Sequence, residues 1–347
     1  MNPLAVILVT HNSLAEIGPC LDSLLQQDYG GLLEIVVVDN ASTDATAHYL
    51  QRCYPEVRII RETHNRGYGY AANVGITKTK SGLVMVANPD VVFGAESVRL
   101  LVESVMDNSN LFVTPKLLLP DGWINALGNT MHRSGITSCA HFREDSKNYS
   151  GSFSVPLLSG AVMLATRAAW IRVGGFDSEM FLYMEDAELS LRARLMGFDI
   201  VCCADAFVTH DYALRLSAPK FSWLERHRLW TMFKLLSIMD LIRIGPSLLV
   251  GSLLTWAFAL LKGRHFIKAR LMADIWFWGH LPKLLSSRRK LRRQLALPHQ
   301  SLMAYLSGAL PLAQLFSSES VTLLSPLMKI MLGQNDKSGF RGDKIRT

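Results

Sequence analysis

The N-terminal part of the chain alternates short apolar runs with stretches of helical periodicity. Four of these runs are rich in Val, Ile and Leu and are bounded by polar turns: residues 4–9, 34–38, 58–60 and 83–86. Unbroken runs of this kind are typical of parallel strands that are buried on both faces. Strands that alternate with helices therefore predict an α/β fold, with a Rossmann-like, mostly parallel central sheet and helices on both faces.

Polar clusters follow the four predicted strands. They occupy residues 10–13, 39–44, 63–69 and 88–90. In a parallel sheet the ligand lies outside the carboxyl ends of the strands, so the pattern predicts that the four clusters line one crevice. Between residues 110 and 155 the periodicity is weak and predicts loops, whereas residues 161–164 and 200–203 predict strands beside a helix at 186–196.

A different pattern occupies the C-terminal third. Ile244–Leu261 is an uncharged run of about 18 residues, the lower limit for crossing a bilayer core of about 30 Å. Residues 213–300 contain 16 Lys and Arg against 3 acids, interleaved with Trp, Phe and Leu, which favours an anionic membrane surface over nucleic acid. A single crossing would export part of this basic charge, so we predict a re-entrant or surface-lying helix. A buried helical core is the alternative.

The cysteines and the first residues of the chain indicate the cellular compartment of the protein. Five cysteines, an odd number without metal-ligand spacing, argue against a disulfide framework or a zinc site and favour a reducing compartment. The chain enters its first apolar run within three residues and without a basic segment, which predicts a strand and not a signal peptide. We therefore expect the N-terminal domain in the cytoplasm.

Carboxylates follow two of the predicted strands. Asp39 closes the second strand, where it could accept hydrogen bonds from a nucleobase or a ribose hydroxyl, although an Asp that caps the next turn is the plainer alternative. Asp90 follows residues 83–87 through Asn88 and Pro89, which stiffens the turn. A carboxylate there suits Mg²⁺ or Mn²⁺, which prefer oxygen ligands and neutralise charge on a diphosphate. A simple Asn-Pro-Asp turn is the alternative.

Two adjacent acids, Glu185 and Asp186, open a predicted helix that runs to Gly197. A reaction in which a hydroxyl group attacks requires a base to accept its proton, and Asp186 is the candidate. Acids at a helix N-terminus also occur for purely electrostatic reasons. His210 could join Asp90 as a metal ligand, although a lone His is more often structural.

A glycine-rich stretch opens the third predicted helix. Gly67-x-Gly69-x-x-Ala72 nominally fits a dinucleotide-binding fingerprint, with Asp90 about 20 residues further on. That fingerprint normally occupies the first strand-to-helix turn, whereas two such units precede it here. The small residues are better explained by a close approach of the backbone to a nucleotide diphosphate.

Taken together, the motifs resemble glycosyltransferase family 2, and most of all its bacterial rhamnosyltransferase-like branch. The matching segments occur in the family's order within residues 4–212: Val9–Asn12, Val38–Asp44, Asn65–Asn73, Asn88–Asp90, Ser159–Gly160, Gly174–Asp177, Tyr183–Leu189 and His210. Each segment alone is a weak signal, whereas their ordered spacing is specific.

The resemblance implies a GT-A fold and an inverting, single-displacement transfer from a nucleotide sugar, with Mg²⁺ or Mn²⁺ held at an Asp-x-Asp-like motif. It makes Asp186 the base, with Glu185 beside it, and makes Asp90 and His210 the metal ligands. It also implies a nucleotide-sugar site whose residues lie in the matching segments: Thr10, Asn12, Asp39, Asn65, Gly69, Asn88 and Asp90.

Three features separate this chain from other members of the family that it resembles. Asn88 replaces the first acid of the Asp-x-Asp motif, a substitution usual in the rhamnosyltransferase-like branch, and Glu188 stands where many relatives carry Asp. Processive synthases carry Gln-x-x-Arg-Trp after the catalytic acid, which Glu225–Trp230 does not match. We therefore expect transfer of a single sugar.

The expected donor is dTDP-rhamnose or another dTDP- or UDP-sugar, and the expected acceptor is a lipid-linked or lipopolysaccharide glycan. The expected location is the cytoplasmic face of the inner membrane, in a peripheral or re-entrant attachment to anionic lipids, with no nucleic-acid partner. A non-catalytic scaffold of a cell-envelope glycan assembly complex is the alternative function.

The expected organisation has three parts. A GT-A catalytic domain covers residues 1–215, with a nucleotide-sugar half at about 1–110 and an acceptor half at about 111–215. A helical membrane-association region covers 216–300, and a helical segment with a mobile tail covers 301–347.

Overall fold

The computed structural model describes residues 2–106, 108–211, 216–296 and 300–310. The described residues form two compact units. The first contains residues 2–128 and 139–211, and the second contains residues 129–138 together with those after 215. The predicted boundary near residue 215 did not anticipate that residues 129–138 would group with the C-terminal helices. Most of the predicted tail lies outside the described residues.

The elements are numbered in chain order. The strands are β1 (Leu4–Thr10), β2 (Leu33–Asp39), β3 (Arg58–Arg61), β4 (Leu83–Ala87), β5 (Val91–Phe93), β6 (Leu111–Leu118), β7 (Ile124–Ala126), β8 (Asn129–His132), β9 (Thr137–Cys139), β10 (Ser152–Ser154), β11 (Val162–Thr166), β12 (Asp199–His210) and β13 (Leu306–Ser307). The α-helices are α1 (Ile17–Leu25), α2 (Thr46–Cys53), α3 (Tyr68–Lys78), α4 (Ser97–Met106), α5 (Arg167–Val173), α6 (Glu185–Leu195), α7 (Ala218–Leu235), α8 (Ile238–Lys262), α9 (Arg264–Gly279) and α10 (Leu281–Gln294).

One large sheet organises the first unit. Its strands lie in the order β10-β12-β6-β11-β4-β1-β2-β3, with β5 added to β12 and β7 added to β6. The block β4-β1-β2-β3 is parallel, β11 is antiparallel to both of its neighbours, and β12 is parallel to β6. The predicted α/β fold with a central sheet of this kind is confirmed.

Strand β1 shows why the sheet needs helices on both faces, because every one of its residues is buried. Successive side chains of a strand point to opposite faces. Leu4, Val6 and Leu8 pack in a core with α1 and α4, whereas Ala5 and Ile7 pack in a second core with α3, α5 and α6. The unbroken apolar run in the sequence is therefore the consequence of two cores that share one sheet.

The segment 110–155 corrects the prediction of loops, because it contains β6, β7, β8, β9 and β10. Three of these strands have only three residues, too few for a period of two to stand out. Positive φ angles at Gly122, Gly128 and Gly135 allow the chain to reverse direction between them.

The second unit contains the helices α7–α10 and the strands β8 and β13, which pair in parallel. Helix α8 extends beyond the predicted run 244–261 and is the one helix in the described ranges that is long and apolar enough to cross a membrane. Its two sides differ. One side is buried along Ile244, Leu248, Gly251 and Ala259, and the other exposes an apolar stripe that consists of Ile242, Pro246, Leu249, Leu253, Ala257 and Leu260.

A buried polar network joins three helices of the second unit. Arg228 of α7 donates to both carboxylate oxygens of Glu225, at 2.9 and 3.2 Å. Thr255 of α8 donates to Glu225 Oε2 at 2.9 Å, and Arg228 Nη2 donates to Ser252 Oγ at 3.2 Å. Arg270 of α9 lies 3.5 Å from the same Glu225 oxygen. The inner side of α8 is thus held by charged residues of its neighbours.

Helix α3 approaches β1 closely at Gly75, where a Cβ atom would lie 2.2 Å from Ile7 Cγ2. We predict that Gly75→Ala destabilises the protein by roughly 2 kcal/mol, because the overlap in a packed core outweighs the gain of about 0.5–1 kcal/mol in helix propensity. Urea unfolding measures the difference. Gly82→Ala is the matched control, since nothing lies within 4 Å of its Cβ position. Equal unfolding midpoints for the two variants would contradict the prediction.

Candidate active site

Strands β1 and β2 end side by side, and each ends in a buried polar residue. Thr10 pairs with Asp39 in the parallel register, and both residues are fully buried. Asp39 Oδ1 accepts from the Ser42 N–H at 2.9 Å, and Asp39 Oδ2 lies 3.4 Å from Arg61 Nε at the end of β3. Within the described part of the chain, Thr10 Oγ1 and Asp39 Oδ2 have no hydrogen-bond partner. A buried hydroxyl and a buried carboxylate oxygen that lack hydrogen-bond partners are suited to a polar ligand.

The side chains of Asn12 and Asn65 brace the adjoining loops. Asn12 Oδ1 accepts from the N–H groups of Thr43 at 2.8 Å and Asp44 at 3.2 Å. Asn65 Oδ1 accepts from Asn40 Nδ2 at 2.9 Å and from the following glycine-rich turn. Contacts within the protein therefore explain both residues, and no ligand is needed to explain them. Their contact with a nucleotide sugar stays a prediction.

Glycines 67 and 69 let α3 approach the segment that leads to α6. A Cβ at Gly67 would lie 2.3 Å from Phe181 O, and a Cβ at Gly69 would lie 2.8 Å from the Phe176 Cβ. The φ angle of Gly67 is also positive, at 93°. The structure therefore gives a packing reason for these glycines, different from the predicted approach to a diphosphate. Contact of Gly69 with a donor stays a prediction.

Asp90 and His210 lie next to each other, although 120 positions separate them in the chain. Strand β5 pairs with the end of β12, where Val91 is the partner of His210. The Nε2 atom of His210 is 3.3 Å from Asp90 Oδ1, and their side chains are 7% and 34% exposed. Asn88, two residues earlier, donates its N–H to Ala161 O at 2.9 Å, which fixes the turn against β11.

The two side chains fit a divalent ion that is shared with a ligand. Neighbouring ligands of an octahedral ion with bonds of about 2.1 Å lie about 3 Å apart, close to the separation of His210 Nε2 and Asp90 Oδ1. Within the described ranges no group of three or more His, Cys, Asp or Glu side chains could hold a metal ion. Mg²⁺ and Mn²⁺ often use one or two protein ligands together with substrate phosphates, so two side chains are enough.

Asp186 is held in a defined orientation at the start of α6. Its Oδ2 accepts from the Gly160 N–H at 3.1 Å, and its Oδ1 accepts from the Ala187 N–H at 2.8 Å. A Cβ at Gly160 would lie 3.1 Å from Asp186 Oδ2, which explains the glycine. Before the helix, Tyr183 and Met184 have positive φ angles of 67° and 71°. Two such residues in succession are costly, and strained backbone of this kind concentrates at functional sites.

Glu188 has a different function in the fold. Its carboxylate is fully buried and pairs with Arg192, the Nη2–Oε2 distance being 2.6 Å. Arg192 also donates to the carbonyls of Val173 and Gly175. The acid at this position thus stabilises the turn that precedes α6. The sequence pattern did not distinguish this structural function from a catalytic one.

Glu185 and Tyr68 lie beside Asp186. Glu185 is 8% exposed. Burial, and secondarily the Asp186 carboxylate, raise the pKa of Glu185 to about 8. Burial, followed by the carboxylates of Glu185, Asp186 and Asp90, raises the pKa of Tyr68 well above its usual value. Tyr68 was not among the residues predicted from the sequence, although it directly follows the recognised Gly67.

The fold therefore gathers most of the predicted residues at one edge of the sheet. Asp39 and Asp90 follow β2 and β4, which both pair with β1, and His210 contacts Asp90. Asp186 joins them from α6, because it accepts from the Gly160 N–H and the next residue, Ala161, accepts from the Asn88 N–H. Their chemical functions stay predictions.

A sheet of this topology, with helices on both faces and acids at the carboxyl edge, defines a GT-A fold, the fold of glycosyltransferases that use nucleotide-sugar donors. The protein is an enzyme of that class. The family model for glycosyl transferase family 2 matches residues 5–144, and the chain belongs to this family.

Curated relatives support the assignment. The chain is 32% identical over 259 residues to the succinoglycan biosynthesis protein ExoO of Rhizobium meliloti, covering 63% of this chain and 74% of that protein. It is 29% identical over 221 residues to the N-acetylglucosaminyl-diphospho-decaprenol L-rhamnosyltransferase of Mycobacterium tuberculosis, covering 56% of this chain and 72% of that protein.

Among solved structures, GalNAc-T7 with UDP, GalNAc and Mn²⁺ matches with a TM-score of 0.60 at 14% identity. The match covers 83% of this chain and 58% of that one, so this chain spans less than two thirds of that protein. At this identity the likeness concerns the fold.

The raised pKa of Glu185 predicts a pH-dependent stability. The folded protein retains this proton up to about pH 8, whereas an ordinary Glu releases it near 4.5. The folded state therefore binds more protons within this window, and its stability falls as the pH rises through it. Glu185→Gln should be more stable than the wild type at about pH 8.5, by an amount on the order of 1–3 kcal/mol, and nearly equal to it at about pH 4.5.

Thermal unfolding at the two pH values measures this difference. Glu56→Gln is the control because Glu56 is exposed. A stability difference for Glu185→Gln that is the same at both pH values would count against a protonated Glu185.

Proposed function

We propose that the protein transfers a single L-rhamnosyl group, with inversion, from dTDP-rhamnose to a lipid-linked or lipopolysaccharide-type glycan, and that Asp186 is the base. The observation that carries the proposal is the fixed carboxylate of Asp186 at the same sheet edge as Asp90. The name of the mycobacterial relative supports both the rhamnosyl donor and the lipid-linked acceptor.

Asp186 accepts the proton of the attacking acceptor hydroxyl. Hydrogen bonds from the N–H groups of Gly160 and Ala187 hold the carboxylate in a fixed orientation. As the proton moves to Asp186, the hydroxyl oxygen bonds to the anomeric carbon and the bond from that carbon to the diphosphate oxygen breaks. Attack from the face opposite to the leaving group inverts the configuration.

The nucleotide end of the donor binds at the tips of β1 and β2. Asp39 Oδ2 accepts hydrogen bonds from the base or the ribose, and Thr10 Oγ1 is available beside it. The neighbouring Arg61, whose Nε is 3.4 Å from Asp39 Oδ2, adds positive charge near the donor.

Asp90 and His210 would hold a divalent ion together with the donor diphosphate. When bound, the ion neutralises charge on the departing diphosphate. In this chain Asp90 would supply a carboxylate oxygen as a ligand, and the buried His210 would supply a ring nitrogen. Asn88 leaves the site with one carboxylate fewer than an Asp-x-Asp motif provides.

We predict that the purified protein slowly hydrolyses dTDP-rhamnose in the absence of acceptor, and that Asp186→Asn lowers the turnover about 10²- to 10⁴-fold while donor affinity changes little. The loss follows because the amide cannot accept the proton. Release of dTDP from a panel of dTDP- and UDP-sugars measures turnover, and calorimetry measures donor binding. Asp121→Asn, an exposed acid in the same unit, is the control.

Three outcomes would change this proposal. Turnover with UDP-sugars alone would replace the rhamnosyl donor. Full turnover by Asp186→Asn would show that Asp186 is not the base. Donor binding without turnover by the wild type, combined with normal function of the Asp186→Asn variant in cells, would favour the scaffold alternative.

The second unit attaches the enzyme to the cytoplasmic face of the membrane through α8. The exposed apolar stripe of α8 is flanked by the exposed cations Arg243, Lys262 and Arg264, which suit anionic headgroups. The opposite side of α8 is hydrogen-bonded to Glu225 and Arg228. A helix that crossed the bilayer would bring these charges into hydrocarbon, so α8 lies in the interface.

We predict that Leu249→Ser combined with Leu253→Ser lowers binding to vesicles of mixed anionic and zwitterionic lipid by at least 10-fold, because the stripe loses its two central apolar side chains. Flotation with vesicles measures binding. Leu32→Ser, an exposed leucine of the first unit, should leave it unchanged. Equal flotation of the double variant and the wild type would contradict attachment through α8.

A further inference from the structure

Two buried polar atoms beside Asp186 lack hydrogen-bond partners in the described structure: the hydroxyl oxygen of Tyr68 and Oε2 of Glu185. Native proteins contain few such atoms, and each requires an explanation. Asp186 itself accepts hydrogen bonds from the N–H groups of Gly160 and Ala187. The two atoms are therefore available to a ligand.

Packing holds the Tyr68 ring in place. Its N–H donates to Phe181 O at 2.9 Å, and its ring lies edge-to-face on Phe176, with ring centroids 5.9 Å apart. Gly67, immediately before it, fits against Phe181 because it has no side chain. Both phenylalanines belong to the segment that leads into Glu185. The same segment thus positions the hydroxyl and the carboxyl group.

The Tyr68 hydroxyl lies near the acids of both parts of the proposed reaction. The carboxylates of Asp90 and Asp186 both act on it, together with that of Glu185. Asp90 is on the side of the donor diphosphate and Asp186 is on the side of the acceptor. The group that lies between the diphosphate and the attacking hydroxyl in a single displacement is the transferred sugar.

A sugar hydroxyl matches this pair, because it is both a donor and an acceptor. The Tyr68 hydroxyl remains protonated and donates, and the Glu185 carboxyl group accepts. We propose that Tyr68 and Glu185 together bind one ring hydroxyl of the transferred sugar and thereby determine which sugars the enzyme accepts. This inference rests on the proposed function and adds a specificity site to it.

The test compares Tyr68→Phe, which removes only the hydroxyl, with the wild type. The expected result is a fall of about 10- to 100-fold in kcat/KM for the complete donor. Donor analogues that each lack one ring hydroxyl identify the contact. With one of them, and only one, the wild type and Tyr68→Phe should differ less than 2-fold, and Glu185→Leu should lose its discrimination at the same hydroxyl.

Tyr70→Phe is the matched control on the same helix, because the Tyr70 hydroxyl accepts a hydrogen bond from Arg66 at the surface. It should keep kcat/KM within 2-fold of the wild type. Binding of the nucleoside diphosphate without a sugar should be the same in Tyr68→Phe and the wild type. That readout separates a sugar contact from a general disturbance of the site.

The proposal would be overturned by an unchanged kcat/KM in Tyr68→Phe, by an equal loss with every deoxy analogue, or by weaker binding of the nucleoside diphosphate alone. Failure of the proposed function has a different signature. Suppose that Asp186→Asn turns over normally, while Tyr68→Phe loses affinity for the complete donor but not for the nucleoside diphosphate. The assignment of Asp186 as the base is then wrong, and the sugar contact is supported. If no nucleotide sugar binds the wild type, both are wrong.

Discussion

The parallel pairing of β4, β1, β2 and β3 is the constraint on which the candidate site depends. Parallel strands end at the same edge of a sheet, so the polar residues that follow each strand meet there. Thr10 pairs with Asp39, and Leu8 pairs with Ala87, three residues before Asp90. These registers determine where Asp39 and Asp90 lie along that edge. Helices on both faces are the other requirement of such a sheet, and they explain why β1 is completely buried.

The acids of α6 reach this edge by a different route. Strand β11 runs antiparallel to β4, so the turn before it, at Ser159 and Gly160, lies at the carboxyl end of β4. The Gly160 N–H then binds Asp186, and the pair of Glu188 with Arg192 anchors the preceding turn. Several carboxylates are thereby concentrated in a small region. Burial, followed by the charge of Asp186, raises the pKa of Glu185, and the concentration of carboxylates is a physical reason for the proposed divalent ion.

The second unit differs from the first because it contains an apolar helix, α8, among basic helices. Glu225 and Arg228 are hydrogen-bonded to Thr255 and Ser252 on the inner side of α8, and Arg270 lies beside Glu225. Removing one member would leave a buried charge without compensation, so the network favours one arrangement of these helices. This arrangement leaves the apolar stripe of α8 exposed.

The positions of the first four strands along the chain, the α/β class and the family followed from the sequence, because continuous apolar runs and ordered motifs depend on local pattern. The position of Asp90, Asp186 and the other acids in the chain was also visible there. Tertiary structure alone decided which polar groups are already satisfied. Asn12 and Asn65 are hydrogen-bonded to neighbours distant in sequence and Glu188 is paired with Arg192 on its own helix, whereas the Tyr68 hydroxyl and Glu185 Oε2 have no hydrogen-bond partner in the described structure. Short strands between residues 110 and 155 were also missed, since three residues pair only when their partners are present. Hydrogen-bond satisfaction and burial depend on atoms brought together by folding, and no linear spacing contains that information.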